Sequence, residues 1–229
     1  DVLRYLTVRT IGGTVTALLI SILMGPLIIN FLKSMQFEQY VREDGPKSHY
    51  KKSGTPTMGG LIILSAILIP TLFFARLDNV YVITMLLATV WLGLIGFLDD
   101  YIKVFKKNKE GLKGKFKVIG QIGVGLIVGS VLYFSDDVVV HKRVATDYKL
   151  KNNEKLVSHE YEELDSDRDY KWVESDEMTT TIPFVKDNEF NYKWLLGGAT
   201  SYGWLIFIPV VIFIVIAVSN GANMTDGLD

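Results

Sequence analysis

The sequence predicts an all-α polytopic membrane protein: five transmembrane helices of a larger bundle, interrupted by a small outward-facing β-rich insertion. Three observations predict it. The 229 residues are 49% hydrophobic and 21% charged, too apolar for an ordinary soluble domain and too charged for a bare set of spanning helices. Five long apolar runs carry no acidic or basic residue in their interiors, as the cost of a charge at the bilayer centre demands. The charges are gathered between the runs, many of them in one polar block.

A span needs about 20 mostly apolar residues to cross a hydrocarbon core of ~30 Å. Residues 11–32, 58–75, 80–98, 118–134 and 202–219 qualify. Pro26, Pro70 and Pro209 fall inside these runs, which lipid-embedded helices tolerate when neighbours satisfy the freed carbonyl. Gly123, Gly125 and Gly129 permit close packing of the fourth span. Tyr5, Trp91, Tyr101, Trp194 and Trp204 are read as interfacial anchors. No basic n-region with a cleavage site precedes the first run, so a signal peptide is not expected. The chain starts at Asp1 and stops at Asp229 inside a motif, and is therefore expected to be a piece of a longer protein. With no cysteine, it has no disulfide framework or thiolate metal site, and its redox compartment is left open.

Short loops set the orientation. Residues 34–57 hold Arg42, Lys47, Lys51 and Lys52, and residues 99–117 hold seven lysines, whereas the turn at 76–79 has one basic residue. The positive-inside rule places the two lysine-rich loops in the cytoplasm. The N-terminus and residues 135–201 then lie outside. That outer block carries nine Lys/Arg against fifteen Asp/Glu and is too polar to enter lipid. Its alternating patches, Tyr170–Val173 and Thr180–Val185, predict short strands. The expected organisation is 1–134 for four spans and their cytoplasmic loops, 135–201 for the insertion, and 202–229 for the fifth span with the start of a cytoplasmic motif.

Three polar features then share the cytoplasmic face. Asp99-Asp100 follows the third run, and adjacent residues on a helix diverge by about 100°, so the two carboxylates need not perform one task. The plainer alternative is a solvated acidic pair ending a helix, a position mildly opposed by the helix dipole. The loop Lys52-Ser-Gly-Thr-Pro-Thr-Met-Gly-Gly60 precedes the second run. Backbone N–H groups at a glycine-rich helix start attract anions, with hydroxyls from Thr55 and Thr57 and the charge of Lys52 beside them. The alternative is a simple helix cap with Pro56 in the first turn. Asn220, Asn223, Asp226 and Asp229 follow at successive i+3 steps and form one polar stripe if helical, suited to a hydroxyl-rich ligand or a nucleoside. The three histidines, 49, 141 and 159, have no ligand spacing and are read as surface residues. A transporter or channel would place acidic or broken-helix features near the bilayer midplane; here the polar groups sit at helix ends. A structural scaffold would leave the cytoplasmic motifs without a purpose.

Lys52–Gly60, Gly96-Phe-Leu-Asp-Asp-Tyr-Ile-Lys103, Gly111-Leu-Lys-Gly-Lys-Phe-Lys117 and Asn220-Gly-Ala-Asn-Met-Thr-Asp-Gly-Leu-Asp229 resemble the phospho-N-acetylmuramoyl-pentapeptide-transferase family, within the polyprenyl-phosphate N-acetylhexosamine-1-phosphate transferases. The resemblance covers nearly all of the chain outside 135–201. It implies a multi-pass enzyme of about ten spans in the bacterial inner membrane, with its active site on the cytoplasmic face. The implied reaction is the first membrane step of peptidoglycan synthesis: undecaprenyl phosphate attacks UDP-N-acetylmuramoyl-pentapeptide, UMP leaves, and Mg²⁺ is required. It further implies catalytic roles for Asp99 and Asp100. Lys52, Thr57, Asn223 and Asp226 would line the nucleotide-sugar cleft, joined by Asn220 and Asp229 of the same motif. Lys103 would lie near the uracil, and Lys117 (or Lys115 if the register slips) would be a further cleft lysine. Asp99 is assigned to the acceptor phosphate or its last proton, and Asp100 to the metal–diphosphate region, with a covalent aspartyl route left open. Homodimers are frequent in the family, and no nucleic-acid partner is expected. The family's main Mg²⁺ ligand and a histidine-rich motif are expected beyond Asp229, so this piece alone is expected to be inactive. The outer loop after the fourth span is short in the family, and its length here is a departure. The sibling activity, transfer of N-acetylglucosamine-1-phosphate from its UDP donor, is the alternative.

Overall fold

A computed structural model describes residues 2–34, 58–106, 111–150, 154–157, 170–175, 179–181, 189–192, 195 and 202–228. After a short 3-10 turn (Val2–Arg4) come helices α1 (Leu6–Ser34), α2 (Gly60–Phe74), α3 (Val80–Phe105) and α4 (Gly114–Phe134). Strands β1 (Val140–Ala145), β2 (Glu154–Leu156), β3 (Tyr170–Ser175), β4 (Thr179–Thr181) and β5 (Glu189–Asn191) follow, then helix α5 (Trp204–Leu228). Helices α1, α3, α4 and α5 are long and apolar enough to cross a membrane. Large side chains such as Leu23, Met85, Leu126 and Phe213 stand exposed along them, the pattern of a multi-pass membrane protein. Hydroxyls within the helices turn back on their own backbones: Thr10, Thr14 and Ser21 each donate to the carbonyl four residues earlier, at 2.8–3.0 Å.

Two expectations change. Helix α2 has only 15 residues, about 22 Å at 1.5 Å per residue, shorter than the other four. Helix α3 does not stop where its apolar run stops at Leu98; it continues to Phe105, so the acidic pair lies inside the helix and not at its end. Backbone hydrogen bonding does not require apolar side chains, and Lys103, one turn after Asp99, supports the extension.

The chain forms two compact units, residues 1–124 with 219–229, and residues 125–218. In the first, Arg9 Nε donates to the carbonyl of Phe74 at 2.5 Å, satisfying an acceptor at the end of α2. Asn79 caps α3, its side-chain oxygen accepting from Tyr81 N at 2.9 Å and Val82 N at 3.3 Å. In the turn before it, the Arg76 guanidinium bonds Asp78 and holds its carboxyl below the usual carboxylate range. Leu32 of α1 and Met58 before α2 are buried together, packed on Ile28, Leu61 and Val104. Trp91, expected as an interfacial anchor, lies in the middle of α3 and donates from Nε1 to the Gly120 carbonyl of α4 at 3.0 Å. A tryptophan N–H in an apolar bundle needs an acceptor, so it ties two helices together. Trp194 lies outside the described residues.

In the second unit, α4 and α5 meet where glycines remove side chains. A Cβ on Gly125 would stand 2.9 Å from Ile212 Cα, and one on Gly129 would stand 3.4 Å from Ile208 Cα. The expected β-rich element is present as a three-stranded antiparallel sheet ordered β1-β3-β2 and a β4-β5 pair. Arg143, opposite Trp172 in the register, lies over the rings of Tyr170 and Trp172 at 4.7 and 5.3 Å.

Candidate active site

The cytoplasm-assigned end of α3 is built around Asp99, which is 8% exposed. Its Oδ2 accepts from Lys103 Nζ at 2.6 Å, one turn along the same helix. Its Oδ1 accepts from the backbone N–H of Leu112 at 2.7 Å and has Lys117 Nζ at 3.0 Å. A buried carboxylate is tolerable only when paired and hydrogen-bonded, and here two ammonium groups and an amide supply that. Leu112 precedes α4 and Lys117 lies in its first turn, so one carboxylate ties α3 to the start of α4.

Asp100 points elsewhere. Lys103 Nζ is 3.7 Å from its Oδ1, and its side chain is 35% exposed against 12% for Asp99. It lines a pocket of about 290 Å³ whose other walls include Met58, Leu61, Leu64, Gly93, Gly96 and Phe97. The expected divergence of the two carboxylates is present: one is enclosed by cations, the other faces an apolar recess between α2 and α3. In the lining of that recess, Met58 adopts φ of +71°, uncommon for a residue bearing a long side chain.

The third motif reaches the same end through α4. Gln121, 6% exposed, donates to Ser219 Oγ at 3.0 Å and accepts from the Asn220 side-chain amide at 3.1 Å. The polar tail is helical as expected, since α5 runs through Asn220, Asn223 and Asp226 to Leu228. Asn220 is tied to α4, and Asn223 is exposed. Lys52, Thr57, Asp229 and the side chain of Asp226 lie outside the described residues. The structure thus brings together Asp99, Asp100, Lys103 and Lys117, and links α4 beside them to Asn220. Lys115, the alternative to Lys117, is not the lysine on Asp99.

Sequence reasoning missed Gln121 and Gly111. Gln121 had a signal: it is the lone amide in the run 118–134, and such a group needs a partner in lipid. Gly111 opens the motif 111–117, but its significance depends on what stands across from it. His141 of β1 meets Glu174 of β3 at 3.3 Å. Among the described residues no cluster of three or more His, Asp or Glu can hold a metal. Mg²⁺, however, is commonly bound by one or two carboxylates plus substrate phosphates, and the less committed Asp100 fits such a partial ligand.

The family signature described as "Phospho-N-acetylmuramoyl-pentapeptide-transferase signature 1" matches residues 52–64. A protein of Flavobacterium psychrophilum named phospho-N-acetylmuramoyl-pentapeptide-transferase is 48% identical over 234 residues, covering 100% of this chain and 54% of that protein. One of the same name from Flavobacterium johnsoniae is 49% identical, with the same coverage. A third, from Parabacteroides distasonis, is 50% identical over 230 residues, covering 99% of this chain and 52% of its own length. The chain spans about half the length of the curated relatives it matches. With a family signature on the loop before α2 and likeness from end to end, the chain is similar to about half of each of these phospho-N-acetylmuramoyl-pentapeptide-transferases.

Proposed function

We propose that the protein of which this chain forms part transfers phospho-N-acetylmuramoyl-pentapeptide from its UDP donor to undecaprenyl phosphate, at the cytoplasmic face of a bacterial inner membrane. The observation that carries this reading is the Asp99–Lys103–Lys117 cluster with Asp100 beside it, facing an apolar recess. A lipid acceptor and a water-soluble nucleotide donor require cationic and apolar surfaces side by side at a helix end. The names of the relatives, each a phospho-N-acetylmuramoyl-pentapeptide-transferase, support the donor.

In this reading an oxygen of the acceptor phosphate attacks the donor phosphorus that bears the sugar. A P–O bond forms there, the bond to the bridging oxygen of UMP breaks, and UMP departs with the electron pair. Phosphoryl transfer of this kind needs positioning and charge neutralisation more than covalent help from the protein. The acceptor monoester, with its second pKa near about 6, is already mostly dianionic at neutral pH. Lys103 and Lys117 balance diphosphate charge, while Asp99 holds both ammonium groups in register. Asp100 is the residue that would hold Mg²⁺, which when bound would offset the charge of the diphosphate. Asn220 and Asn223 are assigned to the donor from α5, and Lys52, Thr57, Asp226 and Asp229 are assigned to the same cleft from the sequence.

The test uses the full-length protein in detergent with Mg²⁺ and undecaprenyl phosphate, following UMP release from each of two donors. Release from UDP-N-acetylmuramoyl-pentapeptide, lost in Asp100→Asn, sustains the reading. Release from UDP-N-acetylglucosamine alone transfers it to the sibling activity, and silence with both donors refutes it.

A further inference from the structure

We propose that Gly111 is a positioning residue of this site, the point at which the α3–α4 connection is fastened onto Asp99; the proposal rests on the transferase reading above. Gly111 has φ of +67°, a conformation that side-chain-bearing residues adopt at a cost. The steric observation is independent of that angle. A Cβ built on Gly111 would stand 2.5 Å from Asp99 Oδ1, 2.7 Å from Lys103 Cε and 3.0 Å from Lys103 Cγ. Only a residue without a side chain lets the backbone pass over the Asp99–Lys103 pair this closely.

The approach has a product. The next N–H, that of Leu112, donates to the same Oδ1 at 2.7 Å. Lys117 then enters from the first turn of α4 to stand 3.0 Å from that oxygen. Displacing the backbone at Gly111 removes the amide from Asp99 and carries Lys117 with it. Both lysines and the carboxylate belong to the proposed diphosphate site, so the fault appears in the chemical step. Gly111 touches no reacting atom; it acts through Asp99, Lys103 and Lys117.

The two requirements at Gly111 are separable by substitution. Alanine violates both, whereas asparagine tolerates the left-handed conformation but still brings a Cβ onto Asp99. In the full-length protein, Gly111→Ala and Gly111→Asn are each expected to lower kcat by about tenfold to a hundredfold, the scale of a small misplacement of catalytic groups. The donor KM is expected to change less than about threefold, and the melting temperature to fall no further than in Asp99→Ala. Hydrogen exchange supplies a readout without turnover: the Leu112 amide is expected to be protected in wild type and to lose that protection in Asp99→Ala. A wild-type kcat in Gly111→Asn, or a kcat loss that merely tracks lost thermal stability, overturns the proposal. So does a Leu112 amide whose protection is unchanged in Asp99→Ala. If the wild-type protein released no UMP, the transferase reading would fall, and the exchange experiment would decide the placement of Gly111 by itself.

Discussion

Lys117 and Gln121 stand one turn apart on α4 and reach in two directions: Lys117 Nζ lies 3.0 Å from Asp99 of α3, and the Gln121 amide bonds Ser219 and Asn220 of α5. The beginning of α4 is therefore the piece that holds the acidic motif and the asparagine motif at one end of the bundle. Neither motif contacts α4 by apolar packing alone; each is held by a polar bond with a named partner.

That link makes Gln121 a stability determinant. Gln121→Leu removes a donor to Ser219 and an acceptor for Asn220 in an apolar surrounding, and is expected to cost about 1–3 kcal/mol. Thermal unfolding of the full-length protein measures it. Combined with Ser219→Ala, the loss should fall short of the sum of the two single losses, because the residues share one bond.

The two aspartates should separate by stability as well as by activity. Asp99→Ala strips two lysines and the Leu112 amide of their acceptor, an expected loss of about 1–3 kcal/mol after discounting for the partly exposed lysines. Asp100→Ala, at a more open carboxylate, should cost less than about 0.5 kcal/mol while still abolishing UMP release. Equal melting temperatures for the two variants would contradict this division.

Along the α4–α5 contact the two glycines should respond differently. Gly125→Ala forces a methyl to within 2.9 Å of Ile212 Cα, a backbone atom that cannot rotate away, and is expected to destabilise by about 1–3 kcal/mol. Gly129→Ala meets its neighbours at 3.4 Å and should change stability by less than about 0.5 kcal/mol. A thermal-shift comparison of the two variants is sufficient.

Because this chain has no cysteine, single cysteines report its sidedness. In a cysteine-free full-length protein, Asp136→Cys is expected to react with an impermeant maleimide from the outer side of the inner membrane. Lys113→Cys should react only once that membrane is permeabilised, as the lysine-rich loop is assigned to the cytoplasm. The reverse labelling would invert the orientation.

Much of this was legible in the sequence because lipid imposes simple rules. Runs without charge became helices, Gly125 and Gly129 became the close contact of α4 with α5, and Asp99-Asp100 diverged as helix geometry requires. What was not legible depended on neighbours distant in sequence. Trp91 resembles any aromatic near a membrane until Gly120 is placed across from its N–H. Asp99 resembles a free acid until Lys103, Lys117 and Leu112 converge on it. The end of α3 was misjudged because hydropathy falls at Asp99 while the helix continues on its own hydrogen bonds and an i,i+4 ion pair.

Helix α2 rises about 22 Å, roughly 8 Å less than a typical hydrocarbon core. Hydrophobic mismatch of this size is met by thinning the bilayer locally or by drawing the flanking backbone inward. Either response would draw the Met58–Gly60 end of α2, which lines the recess beside Asp100, toward the level of the lipid chains. A lipid carrying its phosphate at the end of a long chain would then meet the polar cluster without rising out of the membrane. Turnover of the full-length protein is then expected to fall as the acyl chains of the host bilayer lengthen, because a helix of fixed length cannot follow the thicker core.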